Sequence, residues 1–221
     1  MKKAFFCSIL LALAAGAAGA QTAPAAASTT PVETKIAACI GCHGIQGYQA
    51  SFPEVHRVPM IAGQDARFIA AALNAYKKGD RKHPTMRAIA GTMSDADIAA
   101  ISAYYQQQAR PVGAAEQPAT PPAPPDGVAA LLAKGACASC HGANYSKPVD
   151  GTYPKLAGQH ADYLYFALKA YKTDGSAQVG RNNPIMTAQV KQFSNAELKA
   201  MANYLGSLPS DLATVPQSKF R

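Results

Sequence analysis

The chain contains Cys39-Ile40-Gly41-Cys42-His43 and, in its second half, Cys137-Ala138-Ser139-Cys140-His141, two copies of the motif Cys-x-x-Cys-His. On a helix, two thiols three positions apart lie on one face, and the imidazole that follows can turn toward the same centre. This spacing is the attachment pattern of c-type haem, in which each thiol forms a thioether and the imidazole binds the iron. The sequence therefore predicts two covalently bound haem c groups. Their attachment residues are Cys39, Cys42, Cys137 and Cys140, and their proximal iron ligands are His43 and His141.

The landmarks that follow each motif recur in the same order, which indicates an internal duplication. Residues 59–64 match 154–159, residues 73–77 match 168–172, residues 84–86 match 184–186, and residues 94–97 match 194–197. Each half is predicted to be mainly helical, with the motif on a short helix and a second helix over about 65–77 or 161–172. A last helix is expected after Ser94 and after Ser194, because an acid three positions later completes a capping box.

The duplication narrows the choice of the second axial ligand, because halves that bind the same cofactor are expected to keep its ligand in register. The remaining histidines have no histidine counterpart, and we interpret each as solvated or locally hydrogen-bonded. They are His56, His83 and His160. Three methionines pair with other residue types, and we interpret them as a surface or packing residue and two core residues on helix stripes. They are Met60, Met93 and Met201, respectively.

Only Met86 and Met186 keep both identity and context in the two halves. Each lies two positions after a proline, in a segment that we predict to be an irregular loop against the distal haem face. A methionine and a histidine together complete a low-spin haem with a raised reduction potential and leave no vacant site for substrate. We therefore predict Met86 and Met186 as the distal iron ligands.

Two further positions of the repeat are expected to support the proximal histidines. Pro59 and Pro154 each begin a Pro-x-(Ile/Leu)-x-Gly segment. The proline carbonyl is expected to accept the second ring N–H of the histidine, which would fix its orientation and basicity. Gly63 and Gly158, in the same segments, are expected to allow a positive φ or a close backbone approach.

The first twenty residues are predicted to be a signal peptide, with Lys2 and Lys3 before an apolar stretch and a small-residue cleavage site, Ala18-Gly19-Ala20. The apolar stretch is too short to remain as a membrane-spanning helix, so no transmembrane anchor is expected after cleavage. Cys7 would be removed with it. We therefore expect an exported, periplasmic protein whose remaining cysteines all lie in the two haem motifs.

The remainder of the chain divides by composition. Residues 21–31 are rich in Ala, Thr and Pro and are predicted to be a disordered lead-in. Residues 111–126 are rich in proline and are predicted to be a semi-rigid linker. Two domains are therefore expected, at 32–110 and at 127–221.

The formal net charge is +8 and becomes +6 without Lys2 and Lys3. The haem propionates would lower it further, and an exported protein does not meet DNA, so no nucleic acid partner is expected. The remaining net positive charge is expected to steer the protein toward acidic patches on redox partners. Arg57 and Arg81 are either partners of the propionates or solvated charges, and the sequence leaves both interpretations open.

These motifs resemble those of the cytochrome c family, and specifically of the dihaem cytochrome c4 group, over nearly the whole mature chain. The resemblance implies an all-α fold of two tandem class I cytochrome c domains joined by the Pro-rich linker. It also implies periplasmic electron transfer, commonly toward a terminal oxidase, with Met86 and Met186 as distal ligands. One departure is that residues 173–183 before the second Pro-x-Met are longer than residues 78–83 before the first.

Other functions are compatible with two haem motifs. The chain is expected to exchange electrons with a membrane terminal oxidase, a quinol-oxidising complex or a dehydrogenase, and the alternative to a free carrier is the electron-transfer subunit of a periplasmic dehydrogenase complex. A dihaem peroxidase would need an iron with an open sixth position, which the two Pro-x-Met segments disfavour. A zinc or thiol-redox site would explain neither the adjacent histidines nor the duplicated methionines. Electron exchange between the haems further predicts that the two halves pack with the haem edges close.

Overall fold

The computed structural model describes residues 31–109 and 120–216. The predicted signal peptide (1–20) lies outside the described residues, as do most of the predicted lead-in and positions 111–119 of the predicted linker. Within the described ranges the regular structure is mainly helical, which confirms the all-α prediction, and four two-residue strands supplement the helices. No helix in these ranges is long and apolar enough to span a bilayer.

The elements follow the duplication. Those of the first half are α1 (Val32–Lys35), α2 (Ala37–His43), β1 (Gln49–Ala50), β2 (His56–Arg57), α3 (Ala66–Lys78), β3 (Arg81–Lys82), α4 (Pro84–Gly91) and α5 (Asp95–Gln107). Those of the second half are α6 (Val128–Lys134), α7 (Cys137–His141), α8 (Ala161–Ala170), β4 (Gly180–Arg181), α9 (Pro184–Lys191) and α10 (Asn195–Ser207). In each half the last helix packs against the long central helix, α5 on α3 and α10 on α8.

The last helix of each half begins with the predicted capping box. The hydroxyl of Ser94 accepts from the amide of Asp97, whose carboxylate accepts from the amide of Ser94. Ser194 and Glu197 make the same reciprocal pair at the start of α10. Each box satisfies amides that the helix itself leaves without partners.

The residue before each cap is apolar and buried. Met93 packs in one core cluster with Ile98, and Phe193 packs in the other with Leu198. This is the spacing of a hydrophobic staple, which fixes the angle at which the chain enters the helix. Met93 is thus a core residue, as expected, but it precedes α5 and does not lie on its apolar stripe. Met201 does lie on α10 and is buried.

The prediction of an irregular loop around the duplicated methionines is wrong. Met86 and Met186 are each the third residue of a helix, α4 and α9 respectively. Proline suits the first position of a helix because its missing N–H would have no partner there and its φ is already helical. The side chains of His83 and Asn183 cap these helices, since each accepts from the amide of the methionine three residues later.

The two halves contact each other directly. β3 of the first half pairs antiparallel with β4 of the second, so that Arg81 lies opposite Arg181. The longer stretch before α9 contributes to this contact, because Lys82 Nζ donates to the carbonyl of Ser176 at 2.6 Å. The chain after α10 also crosses to the first half, where Ala213 N donates to the carbonyl of Ala62 at 3.1 Å. The two halves therefore contact each other through the strand pair β3–β4 and through loops, in addition to the linker that joins them in sequence.

Candidate functional site

The haem motifs occupy the short helices α2 and α7, as the sequence predicts. Their six functional side chains therefore keep helical spacing, with both thiols of a motif on one face. The residues are Cys39, Cys42 and His43 on α2, and Cys137, Cys140 and His141 on α7. All four cysteines are free and half-buried. The described residues contain no cluster of three or more potential metal-binding carboxylate, thiol and imidazole groups, so the four cysteines do not converge as a zinc site would require.

Each motif histidine is oriented by a proline carbonyl. His43 Nδ1 lies 2.8 Å from the carbonyl oxygen of Pro59, and His141 Nδ1 lies 3.0 Å from that of Pro154. A carbonyl can only accept, so Nδ1 carries the proton in both rings and Nε2 carries the lone pair. This is the contact expected from the sequence, and its effect on the iron stays a prediction.

Burial favours the neutral forms of these groups. It lowers the pKa of His43 and of His141, although the bonds to Pro59 and Pro154 oppose the shift. It raises the pKa of Cys39 to about 11, against a hydrogen bond with Tyr105. At neutral pH both imidazoles therefore have a free lone pair on Nε2, as an iron ligand requires.

The segment that supplies each proline carbonyl is anchored by a glycine. Gly63 has φ +85° and Gly158 has φ +68°, and their amides donate to the carbonyls of Tyr105 and Leu205, each at 2.9 Å. A Cβ at Gly158 would lie 2.3 Å from Cβ of Ser210. Both expectations for these glycines, positive φ and close approach, are confirmed.

The predicted distal ligands occupy equivalent places. Met86 is half-buried against the core of the first half, and Met186 is half-buried against the core of the second. Each is held by the first turn of a capped helix, which restricts where its thioether can lie. The donor set of each half fits haem c. It consists of two thiols on one helix face, an imidazole with a free Nε2 and a methionine at the equivalent position of the repeat.

The other histidines and Met60 have structural contacts. His56 is buried and stacks on Phe166 of the second half with ring centroids 4.2 Å apart. His83 caps α4, and His160 precedes α8 as its half-buried N-terminal residue. Met60 is buried at the contact between the halves, so it is a packing residue and not a surface residue. His56 is hydrogen-bonded locally, to the carbonyl of Glu54 at 2.8 Å, but it is not solvated.

Sequence reasoning missed two glutamines that join the halves. Gln64 and Gln159 are both 3% exposed, and each binds the backbone of the opposite half. The signal was present, because both occur at the same position of the repeated segment. A glutamine repeated at one position does not by itself predict a hydrogen-bond partner.

Comparisons with known proteins agree with this arrangement. A family model described as Cytochrome c matches residues 30–109 and again residues 127–209. The cytochrome c4 of Azotobacter vinelandii is 29% identical over 197 residues, which cover 84% of this chain and 91% of that protein. A protein of Thiomonas intermedia named thiosulfate dehydrogenase electron acceptor is 31% identical over 203 residues, covering 85% of this chain and 85% of that protein.

A solved structure is similar in fold as well. The cytochrome c4 of Acidithiobacillus ferrooxidans matches with a TM-score of 0.59 at 27% identity, over 78% of this chain and 99% of that one. The family model matches twice and covers most of the chain, and each match spans one set of the residues predicted to bind haem. The chain therefore belongs to the cytochrome c family, as an electron carrier of the cytochrome c4 type with two tandem cytochrome c domains and two covalently bound haem c groups.

Proposed function

We propose that this protein carries electrons in the periplasm between redox proteins, toward a membrane terminal oxidase. The proposal rests chiefly on one observation, that two equivalent haem-binding sets lie in halves that contact each other directly. We assign the first domain to residues 32–110, the linker to 111–126 and the second domain to 127–221. A signal peptide at 1–20 would deliver the chain to the periplasm.

We assign each haem to named residues. Cys39 and Cys42 would attach the first haem, and His43 and Met86 would hold its iron. In the second domain the corresponding residues are Cys137, Cys140, His141 and Met186. The bound haem iron supplies the reversible one-electron change. The polypeptide orients the imidazoles through Pro59 and Pro154 and holds the methionine thioethers in the first turns of α4 and α9.

A histidine and a methionine on each iron suit electron transfer better than catalysis. Iron held by both side chains would need little rearrangement between its two oxidation states and would leave no position for hydrogen peroxide. The net positive charge would steer the protein toward acidic surfaces of its partners. Donors consistent with this include a quinol-oxidising complex or a dehydrogenase.

A second candidate function is that of an electron acceptor bound to a dehydrogenase. It is favoured by the relative of Thiomonas intermedia, whose name states that role for thiosulfate dehydrogenase. A subunit would co-purify in fixed proportion with a catalytic chain, whereas a free carrier would purify as a monomer or weak self-associate. Affinity purification from the periplasmic fraction, followed by size-exclusion chromatography, separates the two.

The decisive experiment is a visible and near-infrared spectrum of the purified holo-protein, oxidised and reduced, with carbon monoxide added to the reduced form. We expect two haems per chain, a ferric methionine-to-iron charge-transfer band and no response to carbon monoxide. A high-spin haem that binds carbon monoxide would instead mean an open iron and would move the function toward catalysis.

A further inference from the structure

Each half has a lysine at the end of its long central helix, and the two lysines are equivalent in the repeat. Lys77 lies in the last turn of α3, and Lys172 follows the residue that caps the end of α8. Both side chains reach the segment that joins the methionine helix, α4 or α9, to the last helix of the half. This joining segment is residues 92–94 in the first half and 192–194 in the second.

The two lysines make the same hydrogen bond. Lys77 Nζ donates to the carbonyl of Met93 at 2.7 Å, and Lys172 Nζ donates to that of Phe193 at 2.6 Å. Met93 and Phe193 each come directly before the serine that caps the last helix. Because the acceptor is a backbone group, the bond does not depend on which side chain the repeat has there. The same contact is therefore built twice in one chain.

The capping boxes remove the helical donor that each of these carbonyls would otherwise have. In a continuous helix the carbonyl of Met93 would accept from the amide four residues later, that of Asp97. This amide instead donates to the hydroxyl of Ser94 at 3.1 Å. In the second half the amide of Glu197 donates in the same way to Ser194, at 3.3 Å. The lysine therefore replaces a donor that the start of the last helix has taken away.

Burial makes the replacement donor necessary. Met93 is 9% exposed and Phe193 is 3% exposed, so water has little access to the joining segment. A backbone carbonyl that is shielded from water and lacks a donor destabilises the fold. A lysine ammonium supplies a charged donor, and hydrogen bonds from charged groups are stronger than those between neutral groups.

The hydrogen bond, and not an ion pair, is what the two halves share. Lys77 Nζ lies 3.8 Å from the carboxylate of Asp95, whose side chain is 91% exposed. An exposed pair of this kind contributes little to stability. The equivalent residue of the second half is Asn195, which carries no charge. What the repeat keeps at Lys77 and Lys172 is therefore the bond to the joining segment.

The joining segment is the far end of the methionine helix. The cap from His83 holds the start of α4, Lys77 holds the segment after its end, and Met86 lies between these two contacts. Asn183 and Lys172 hold α9 in the same way. A short helix fixed at both ends has little freedom to pivot. Release of its far end would allow the first turn, and the methionine in it, to move.

We propose that Lys77 and Lys172 are positioning residues for the axial methionines, and that each keeps the thioether of its own domain on the haem iron by fixing the end of the methionine helix. The lysines act through the helix and are not ligands themselves. This inference rests on the assignment of Met86 and Met186 as iron ligands in the proposed function.

The test uses holo-proteins: the wild type, Lys77→Met, Lys172→Met and the double variant. Methionine fills the space of the lysine stem but cannot donate a hydrogen bond. The control is Lys78→Met, because Lys78 is the next residue of α3, is exposed and carries the same charge. Lys77→Arg keeps a charged donor, so it is expected to behave as the wild type does.

The first readout is the affinity of the ferric protein for imidazole, which competes with the thioether for the iron without electron transfer. Binding is followed by the loss of the methionine-to-iron charge-transfer band. Loss of a hydrogen bond from a charged group corresponds to about one order of magnitude in an equilibrium constant. In each single variant we therefore expect one haem to bind imidazole about tenfold more tightly than in the wild type. Both haems should do so in the double variant, and neither in Lys78→Met.

The second readout is amide hydrogen exchange in residues 88–93, which reports release of the helix end independently of the iron. We expect faster exchange in Lys77→Met than in Lys78→Met, because the end of α4 opens more often without its donor. Faster exchange together with wild-type affinity for imidazole would mean that the lysine stabilises the fold without positioning the methionine, and would overturn the proposal.

The results also separate this proposal from the ligand assignment on which it rests. A wild type without the ferric charge-transfer band would refute the methionine assignment itself. A wild type with the band, whose lysine variants bind imidazole as Lys78→Met does, would refute the role of the lysines alone. If Lys77→Met does not retain two haems, Lys77→Gln is measured instead. Glutamine is shorter and uncharged, so tighter imidazole binding is still expected, and an unchanged affinity counts against the proposal.

Discussion

Gln64 and Gln159 bind the backbone of opposite domains in the same way. The side chain of Gln64 donates to the carbonyl of Lys155 at 2.8 Å and accepts from its amide at 3.0 Å. Gln159 makes the same pair of bonds with Met60, at 2.8 and 3.0 Å. Met60 and Lys155 are themselves equivalent in the repeat. The contact therefore has the reciprocal form of a two-fold symmetric dimer, within a single chain.

Replacing Gln159 by alanine is expected to lower the free energy of unfolding by about 2 kcal/mol. The two buried hydrogen bonds to Met60 are lost at about 1 kcal/mol each, and the amide of His160 also loses its bond to Oε1 of Gln159. Denaturant unfolding of the holo-protein measures the change. Gln106→Ala is the matched control, because Gln106 accepts a bond from Ala66 within the first domain and is exposed. A loss no larger than that of the control would contradict a role for Gln159 in joining the domains.

Replacing Met86 or Met186 by alanine is expected to open the iron of that domain alone. The ferric charge-transfer band should fall by about half, since one of two haems loses its thioether, and the reduced protein should bind one carbon monoxide per chain. Met60→Leu serves as control, because Met60 is a buried methionine of the same domain as Met86. If Met60→Leu opens the iron and Met86→Ala does not, the ligand assignment is wrong.

The cap of α4 is expected to matter for the ligand that follows it. His83→Ala removes the acceptor for the amide of Met86, at a cost of about 1 kcal/mol for an N-cap. We expect carbon monoxide to compete with Met86 more readily in this variant. His83→Asn should behave as the wild type, because Asn183 provides the same cap at Met186. Equal carbon monoxide binding by the two variants would argue against the cap.

Gly175 and Gly158 have similar positive φ, so replacing each by alanine distinguishes the cost of backbone strain from the cost of steric crowding. Gly175 has φ +74° with no neighbour within 4 Å of an added Cβ, whereas a Cβ at Gly158 would meet Ser210. Gly175→Ala is expected to cost about 1 kcal/mol in free energy of unfolding from the left-handed backbone alone. Gly158→Ala should cost about 1–3 kcal/mol more, because the segment after α10 must move. Unfolding curves that coincide for the two variants would rule out the close approach as a constraint.

The domain interface is expected to weaken in acid. Burial alone would raise the pKa of Asp162, but hydrogen bonds from the amides of Arg57 and Tyr163, together with the charge of Arg57, lower it. The folded state therefore holds this proton less tightly than the unfolded chain. The contribution of Asp162 to stability is present above about pH 4 and is lost as the pH falls below it.

Denaturant unfolding of the wild type and of Asp162→Asn between pH 3 and pH 6 measures this contribution. The difference in free energy between the two proteins should shrink toward the acid end. A difference that does not change with pH would mean that the carboxylate gains nothing from its partners in the folded state.

Much of the candidate site follows from local sequence. The Cys-x-x-Cys-His spacing places three groups on one helical turn whatever surrounds it, so Cys39, Cys42 and His43 could be assigned without a structure. The capping boxes at Ser94 and Ser194 depend only on residues three positions apart. Duplication added a comparison within the chain, which singled out Met86 and Met186 from the other methionines.

The prediction of a loop around those methionines is wrong, although the sequence contains the local signal for the start of a helix. A proline before Met86 suggested a break, but proline at the first position of a helix is favourable when a capping residue precedes it. Histidine is an uncommon cap, and only the tertiary structure shows the ring of His83 against the amide of Met86.

By itself, the sequence determined the two Cys-x-x-Cys-His motifs and the short helices that carry them. Only the tertiary structure decided how the halves meet, because contacts such as Gln64 with Lys155 and Arg81 with Arg181 join residues far apart in the chain. Local conformational preferences extend over only a few residues, so they cannot predict contacts between residues far apart in the chain. The burial of His56 against Phe166 arises from packing between domains, which no periodicity within either half encodes.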